Sequence, residues 1–256
     1  MTDFTSVTET WGLPASSEQL SMAYTRYRLA ADLVKGKRVL ELGCGAGMGI
    51  EYLGLRGASL VVGGDYTMGL LNQALGRHPK GLFLRLDAQR LPFHDAAFDV
   101  VLMLEMIYYL ADLDLALREA VRVLRPGGYV VISAPNPDRP HFNRSPFSTR
   151  YVTVSQLRAS LERLAPEVRI FGAFPVEPQS RSEQIQARVR GFAVRHNLIP
   201  RSMKAKALVK RIVYRRLTKL DVIRDGMAPR YPVVELDDQA GTDHTFKNLY
   251  AVARIP

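Results

Sequence analysis

Residues 39–49 read Val-Leu-Glu-Leu-Gly-Cys-Gly-Ala-Gly-Met-Gly, an apolar run that meets a carboxylate and opens into a glycine-rich turn. This predicts a strand whose carboxyl end delivers a ligand site, because glycine reaches positive φ and lets backbone approach a ligand with no Cβ between them. The dinucleotide fingerprint G-x-G-x-x-G/A is not met. Counted from Gly43 its last position is Met48, and counted from Gly45 it is Ile50. A pyrophosphate would also face the negative charge of Glu41. The order Glu-x-Gly-x-Gly-x-Gly, from Glu41 through Gly43, Gly45 and Gly47, suits a cationic ligand without phosphate.

Further carboxylates follow at intervals expected of successive βα units. A second strand over 59–64 ends at Asp65, about 20 residues past the glycines, where a carboxylate takes ribose hydroxyls; Tyr66 follows it. A third strand over 81–86 leads into Asp87-Ala88-Gln89, where Asp87 is placed to accept from an adenine amino group. Residues 98–104 are almost wholly apolar, as in a strand buried on both faces, and Glu105 closes the run. A helix over 113–124, the turn Arg125-Pro126-Gly127-Gly128 and a fifth strand over 129–134 complete the first half. S-adenosylmethionine, with an ammonium, a sulfonium and no phosphate, matches this set of groups.

In these motifs the chain resembles the class I S-adenosylmethionine-dependent methyltransferases, of the small-molecule type related to the quinone-biosynthesis enzymes. The resemblance rests on 39–49, Gly64-Asp65, Asp87-Ala88-Gln89 followed by Leu91-Pro92-Phe93, Phe98-Asp99, and Val123-Leu124-Arg125-Pro126-Gly127-Gly128, in the family's order across 37–134. It implies an α/β, Rossmann-like, seven-stranded and mostly parallel sheet with helices on both faces and an antiparallel last strand. It also implies methyl transfer from S-adenosylmethionine, with S-adenosylhomocysteine as product, to a small-molecule acceptor such as a metabolite, sugar or lipid-linked intermediate. The cofactor set it marks is Glu41, Gly43, Cys44, Gly45, Gly47, Asp65, Tyr66, Asp87, Ala88, Gln89 and Glu105. A helix over 17–34 precedes the sheet, and such helices act as lids in the family; from it Tyr24, Tyr27 and Arg28 are candidates for the methionine carboxylate.

The expected organisation is an amino-terminal helical lid (1–36), a cofactor-binding core (37–175), a basic helical insertion (176–232) and a closing strand (233–256). Helix is expected over 153–164, a sixth strand over 168–171 and the closing strand over 248–254. No apolar stretch reaches the about 18 residues of a membrane span, and the polar amino terminus lacks the features of a secretory signal. A cytoplasmic location is the expectation. The single cysteine, Cys44, leaves no internal disulfide.

The formal charge of +10 is local. Residues 181–224 carry 13 Lys and Arg against Glu183 and Asp221, or +11, leaving −1 for the rest. Leu208, Val209, Ile212, Val213, Leu217 and Leu220 fall on one half of a helix, with Lys204, Lys210, Arg211 and Arg215 on the other. This amphipathic segment suits a solvated outer face, a site for an anionic substrate or lipid headgroup at a membrane surface, or a nucleic-acid surface. An RNA or other nucleic-acid methyltransferase is therefore the alternative function. It lacks interleaved aromatics for base stacking, with only Phe192 and Tyr214 in the segment.

Acceptor contacts are expected from Tyr108 and Tyr109, and from Asn136, His141, Asn143 and Arg144 in the Pro-, Asn- and Ser-rich stretch 135–151. A hydroxyl acceptor needs a base, and His141 and His244 are the histidines to test, His141 first. No His, Asp or Glu pair has metal-ligand spacing, so no metal is expected.

Overall fold

A computed structural model describes residues 4–5, 10–177, 192, 217–237 and 241–256. The strands are β1 (Pro14–Ala15), β2 (Arg38–Leu42), β3 (Leu60–Asp65), β4 (Leu82–Arg85), β5 (Phe98–Leu104), β6 (Leu124–Pro135), β7 (Glu167–Pro175), β8 (Thr218–Lys219), β9 (Val234–Glu235) and β10 (Phe246–Arg254). The helices are α1 (Ser17–Ala31), α2 (Ile50–Leu55), α3 (Met68–Arg77), α4 (Leu113–Val123) and α5 (Val154–Glu162). The main sheet has the order β4-β3-β2-β5-β6-β10-β7-β9. Strands β4 through β6 run parallel, and β10 lies antiparallel between β6 and β7.

That order reverses between β2 and β5, and open α/β sheets bind ligands outside the carboxyl ends at such a point. Alternation along each strand then selects the partners. Leu40, Leu42, Val101, Met103, Val130 and Ile132 enter a core with α4 and α5, whereas Val39, Val100, Leu102 and Val131 pack against α1 and α2. Glu41 shares a face with Val39, so its side chain meets α1.

Two capping boxes start α1 and α5: Ser16 Oγ accepts from Gln19 N at 3.2 Å, with Thr153 and Gln156 repeating the pattern. The turn over 125–128 forms a bulge within β6, since Leu124 pairs with Phe98 while Tyr129 pairs with Val100. Arg122 ties the preceding loop to α4 through Glu119, Asp95 and the carbonyls of Leu91 and Phe93. This holds the chain between Asp87 and β5 in place.

The sheet has eight strands where seven were expected. The addition is β9, two residues on the edge of β7, and Arg169 holds it through both oxygens of Glu235 at 2.8 Å. The basic amphipathic helix is also revised at its end. Residues 204–216 lie outside the described residues, but Thr218–Lys219 are a strand paired with Pro14–Ala15, and Gly12 N donates to Leu220 O. Leu220 is buried against α1, and the Gly12–Leu13 backbone supplies the hydrogen bonds that a helix would have made internally. The following residues lie on α1 and α2. Tyr24, Tyr52 and Arg56 all donate to Asp225 Oδ1, Tyr231 N donates to Thr25 Oγ1, and the Tyr231 ring stacks on Phe174.

Candidate active site

The glycine turn after β2 is shaped by two constraints. Gly43 has φ +69°, and a Cβ there would stand 2.6 Å from Met106 Cβ. A Cβ on Gly49 would lie 1.8 Å from the Tyr27 ring. The close approach at Gly49 seats Tyr27 over the strand end, where its hydroxyl donates to Glu41 Oε1 at 2.6 Å. Trp11 Nε1 donates to Ala46 O at 2.9 Å and ties the amino-terminal segment to the same turn. Gly49→Ala is expected to displace Tyr27 at a cost of about 1–3 kcal/mol. A melting temperature equal to the parent's in a thermal scan would contradict that packing.

Glu41 is 1% exposed. Burial pushes its carboxyl up to about 7, with the Tyr27 hydrogen bond and Arg26 opposing the rise. Its second oxygen, Oε2, is buried with no hydrogen-bond partner among the described residues. Asp65 closes β3 and spans two backbone donors: Gly45 N reaches Oδ2 and Thr67 N reaches Oδ1, each at 2.8 Å. Burial raises its carboxyl too, and these amides counter the rise. Asp87 Oδ1 accepts from Gln89 N at 2.9 Å, and the Gln89 side chain bridges Asp87 to the Asp112 amide. Cys44 is buried, and burial with the nearby Glu41 and Asp65 charges pushes its thiol well up.

These elements wall one cavity of about 520 Å³. Of the expected residues, Gly43, Cys44, Gly45, Asp65, Tyr66, Asp87, Ala88, Gln89, Glu105, Tyr108 and Tyr109 line it. Glu41 lies beneath the glycine turn, bonded to the lining residue Tyr27. Gly47 faces Ala74 and Phe83 instead. Tyr24 and Arg28 stand off the wall: they lie one helical turn apart on a flank where Tyr24 meets Asp225 and Arg28 pairs with Asp32. Asn136 is wholly buried, its amide donating to Asp243 Oδ2 and to the carbonyls of Asp243 and Phe246, so it ties β6 to the start of β10. His141 is exposed at φ 58° and off the wall. Arg144 lies over Tyr151, a ring that also stacks on Tyr108 and meets Phe142 edge-on. His244 Nδ1 is 2.6 Å from Asp138 O.

Sequence reasoning missed Arg26, Phe4, Met106, Leu110 and Thr149 on the wall. Arg26 is 9% exposed and next to Tyr27. The apolar spacing Leu20, Tyr24, Tyr27 and Ala31 marks a helix, but the burial of Ala23, Tyr27 and Ala30, and of Arg26 with them, is set by how α1 rolls onto the sheet. Thr149 belongs to the loop marked for the acceptor; it bonds back to Tyr108 O.

The wall thus carries two kinds of group. Asp65, Asp87 and Glu105 supply carboxylates, and Arg26 is the only cation on the wall among the described residues. Phe4, Met106, Tyr108, Tyr109 and Leu110 supply aromatic and apolar surface, with Tyr109 in ring contact with both Phe4 and Tyr108 and with Glu105 bonded to Tyr108. S-adenosylmethionine fits on this structure's own terms. Glu41 Oε2 is a buried acceptor lacking a donor, which in native proteins calls for an explanation, and the volume lies within the about 300–1,000 Å³ usual for small-molecule sites.

The match to a family described as "Methyltransferase domain", over residues 40–132, coincides with this cavity's framework. Residues 40–132 thus match a methyltransferase domain, and the chain has the fold of a solved S-adenosylmethionine-dependent methyltransferase. Among its relatives, a fatty-acid O-methyltransferase of Mycolicibacterium smegmatis is 43% identical over 118 residues, 44% of this chain and 43% of that one. A phthiotriol/phenolphthiotriol dimycocerosates methyltransferase of Mycobacterium tuberculosis is 42% identical over 126 residues, covering 46% and 45%. The chain spans about half the length of the curated relatives it matches. Among solved structures, a possible histamine N-methyltransferase from Thermotoga maritima superimposes with a TM-score of 0.57 at 16% identity, over 93% of this chain and 92% of that one. The [4+2]-cyclase SpnF does so at 0.57 and 19%, over 98% and 89%. These two likenesses concern the fold, which hosts more than one reaction. Among the described residues no helix is long and apolar enough to cross a membrane.

Proposed function

We propose that this protein transfers a methyl group from S-adenosylmethionine to a small, lipid-linked acceptor by in-line displacement. One observation carries the reading: the carboxyl ends of β3 and β5 and the loop after β4 bring Asp65, Asp87 and Tyr27, which is bonded to Glu41, to one cavity that Phe4, Met106, Tyr108 and Tyr109 also line. When bound, the cofactor supplies an electrophilic methyl group. Asp65 would hold its ribose, Asp87 and Gln89 its adenine, Glu41 its ammonium and Arg26 its carboxylate. Tyr108, Tyr109, Met106 and Phe4 would align the acceptor and keep water out, which is most of what such a displacement needs from a protein. The names of the mycobacterial relatives, a fatty-acid and a phthiotriol methyltransferase, support a lipid-related acceptor.

The test is titration calorimetry with S-adenosylmethionine and S-adenosylhomocysteine, then incubation of the labelled donor with fractionated lipid extract and mass spectrometry of labelled products. Binding of a dinucleotide in place of both ligands would overturn the reading. Arg26→Met removes the wall's cation and is expected to weaken S-adenosylmethionine binding about 10–100-fold, the worth of a hydrogen bond to a charged group. Unchanged affinity would remove Arg26 from the site. The local +11 charge motivates the RNA alternative, which predicts binding that weakens steeply with salt; salt-independent or absent RNA binding rejects it.

A further inference from the structure

We propose, resting on the reading above, that the acceptor is a neutral hydroxyl compound rather than a free carboxylic acid, and that Glu105 removes its proton. The named relatives include both a fatty-acid and a phthiotriol enzyme, so the decision falls to this cavity's own charges. Glu105 follows β5 at φ 57°, in the left-handed region that non-glycine residues seldom occupy. Strain of this kind persists where surrounding structure over-determines the residue. Here Glu105 N donates to Ser133 O at 2.9 Å. Oε1 accepts from Ser133 Oγ and Asn248 Nδ2, and Oε2 from the Tyr108 hydroxyl, each at 3.3 Å. These three groups act as donors, the arrangement that suits an ionised, acceptor-only carboxylate.

The other titratable groups are differently employed. Asp65 is engaged by the Gly45 and Thr67 amides, and Asp87 by the Gln89 amide. The Tyr109 phenol is pushed up by burial, and so stays protonated. His141 lies off the wall. Glu105, on the cavity wall and bonded to the Tyr108 hydroxyl, is therefore the base. As the acceptor oxygen forms its bond to the methyl carbon, its proton passes to the Glu105 carboxylate. The carbon–sulfur bond breaks with its electron pair left on sulfur, so the sulfonium ends as a neutral thioether and Glu105 as a carboxylic acid that later returns its proton to water.

A carboxylate acceptor arrives already deprotonated and needs no base. It would also set a second negative charge beside Glu105, on a wall that among the described residues carries Asp65 and Asp87 with Arg26 against them. Like charges at this range disfavour each other.

The full chain, loaded with S-adenosylhomocysteine, is titrated with octylphenol and with octylbenzoate, two probes of matched shape. Octylphenol should bind at least about 10-fold more tightly, and Glu105→Gln should erase the difference. With S-adenosylmethionine, the wild type should methylate octylphenol, and Glu105→Gln should slow that step about 100-fold, the usual worth of a general base. Equal or tighter binding of octylbenzoate by the wild type overturns the proposal, as does full octylphenol turnover by Glu105→Gln. Retained S-adenosylhomocysteine binding separates these outcomes from loss of the fold. Failure of the wild type itself to bind S-adenosylhomocysteine would instead sink the parent reading.

Discussion

Asp65→Ala is expected to lower affinity for S-adenosylmethionine and S-adenosylhomocysteine by at least about 100-fold and to destabilise the free protein as well. The carboxylate receives the Gly45 and Thr67 amides, so it is the strut between the glycine turn and the start of α3. A hydrogen bond to a charged group is worth about 1.5–3 kcal/mol, and the variant loses two before any ligand arrives. Loss of the proposed ribose contacts is added on binding. Asp65→Asn separates the two effects: its amide oxygen can keep one backbone donor, but its NH2 faces the other. It should recover part of the stability and little of the affinity. Calorimetry beside thermal unfolding checks both, and wild-type affinity in Asp65→Ala would show that the ligand sits elsewhere.

Glu41→Gln should change the pH dependence of stability. The carboxyl titrates at about 7 in the folded chain against an ordinary value of 4.5. Between those values the unfolded chain has lost a proton that the folded chain keeps, so the favourable contribution of protonated Glu41 is fully present below 4.5. It is lost as pH rises through 7. The full swing is about 3 kcal/mol. Glutamine keeps the shape without the titration, so the variant should gain stability relative to wild type as pH climbs from 5 to 8. Affinity for the cationic cofactor should move oppositely: in the wild type it rises with pH through about 7, as Glu41 ionises and Oε2 gains a charged donor, and in the variant it is weaker and flat. Superimposable stability profiles would mean that Glu41 is not buried as described; matching affinity profiles would mean that it does not meet the ligand.

Much of the sheet was legible because its signals are local. The run 98–104 coincides with β5 to the residue, and the apolar stretches before Gly43, Asp65 and Asp87 became β2, β3 and β4. Position 127 reaches φ 74° as a Gly in a turn should, although the turn proved to be a bulge within β6. The acceptor side was less legible. Asn136 and His141 sit in a loop of suitable composition, yet one is consumed by the link to β10 and the other faces solvent. Composition marks a loop without saying which way its side chains turn.

From the sequence alone came the parallel strands, the glycine turn and the row of carboxylates at the strand ends, because strand period and turn chemistry act over a few residues. Tertiary structure decided which side chains share the cavity. Arg26 rather than Arg28 turns inward, Tyr27 closes on Glu41, and Glu105 is clasped by Ser133 and Asn248 from two other strands. The physical reason is that these meetings depend on how α1 rolls against the sheet and on which strands become neighbours, and both are set by packing between elements distant in the chain.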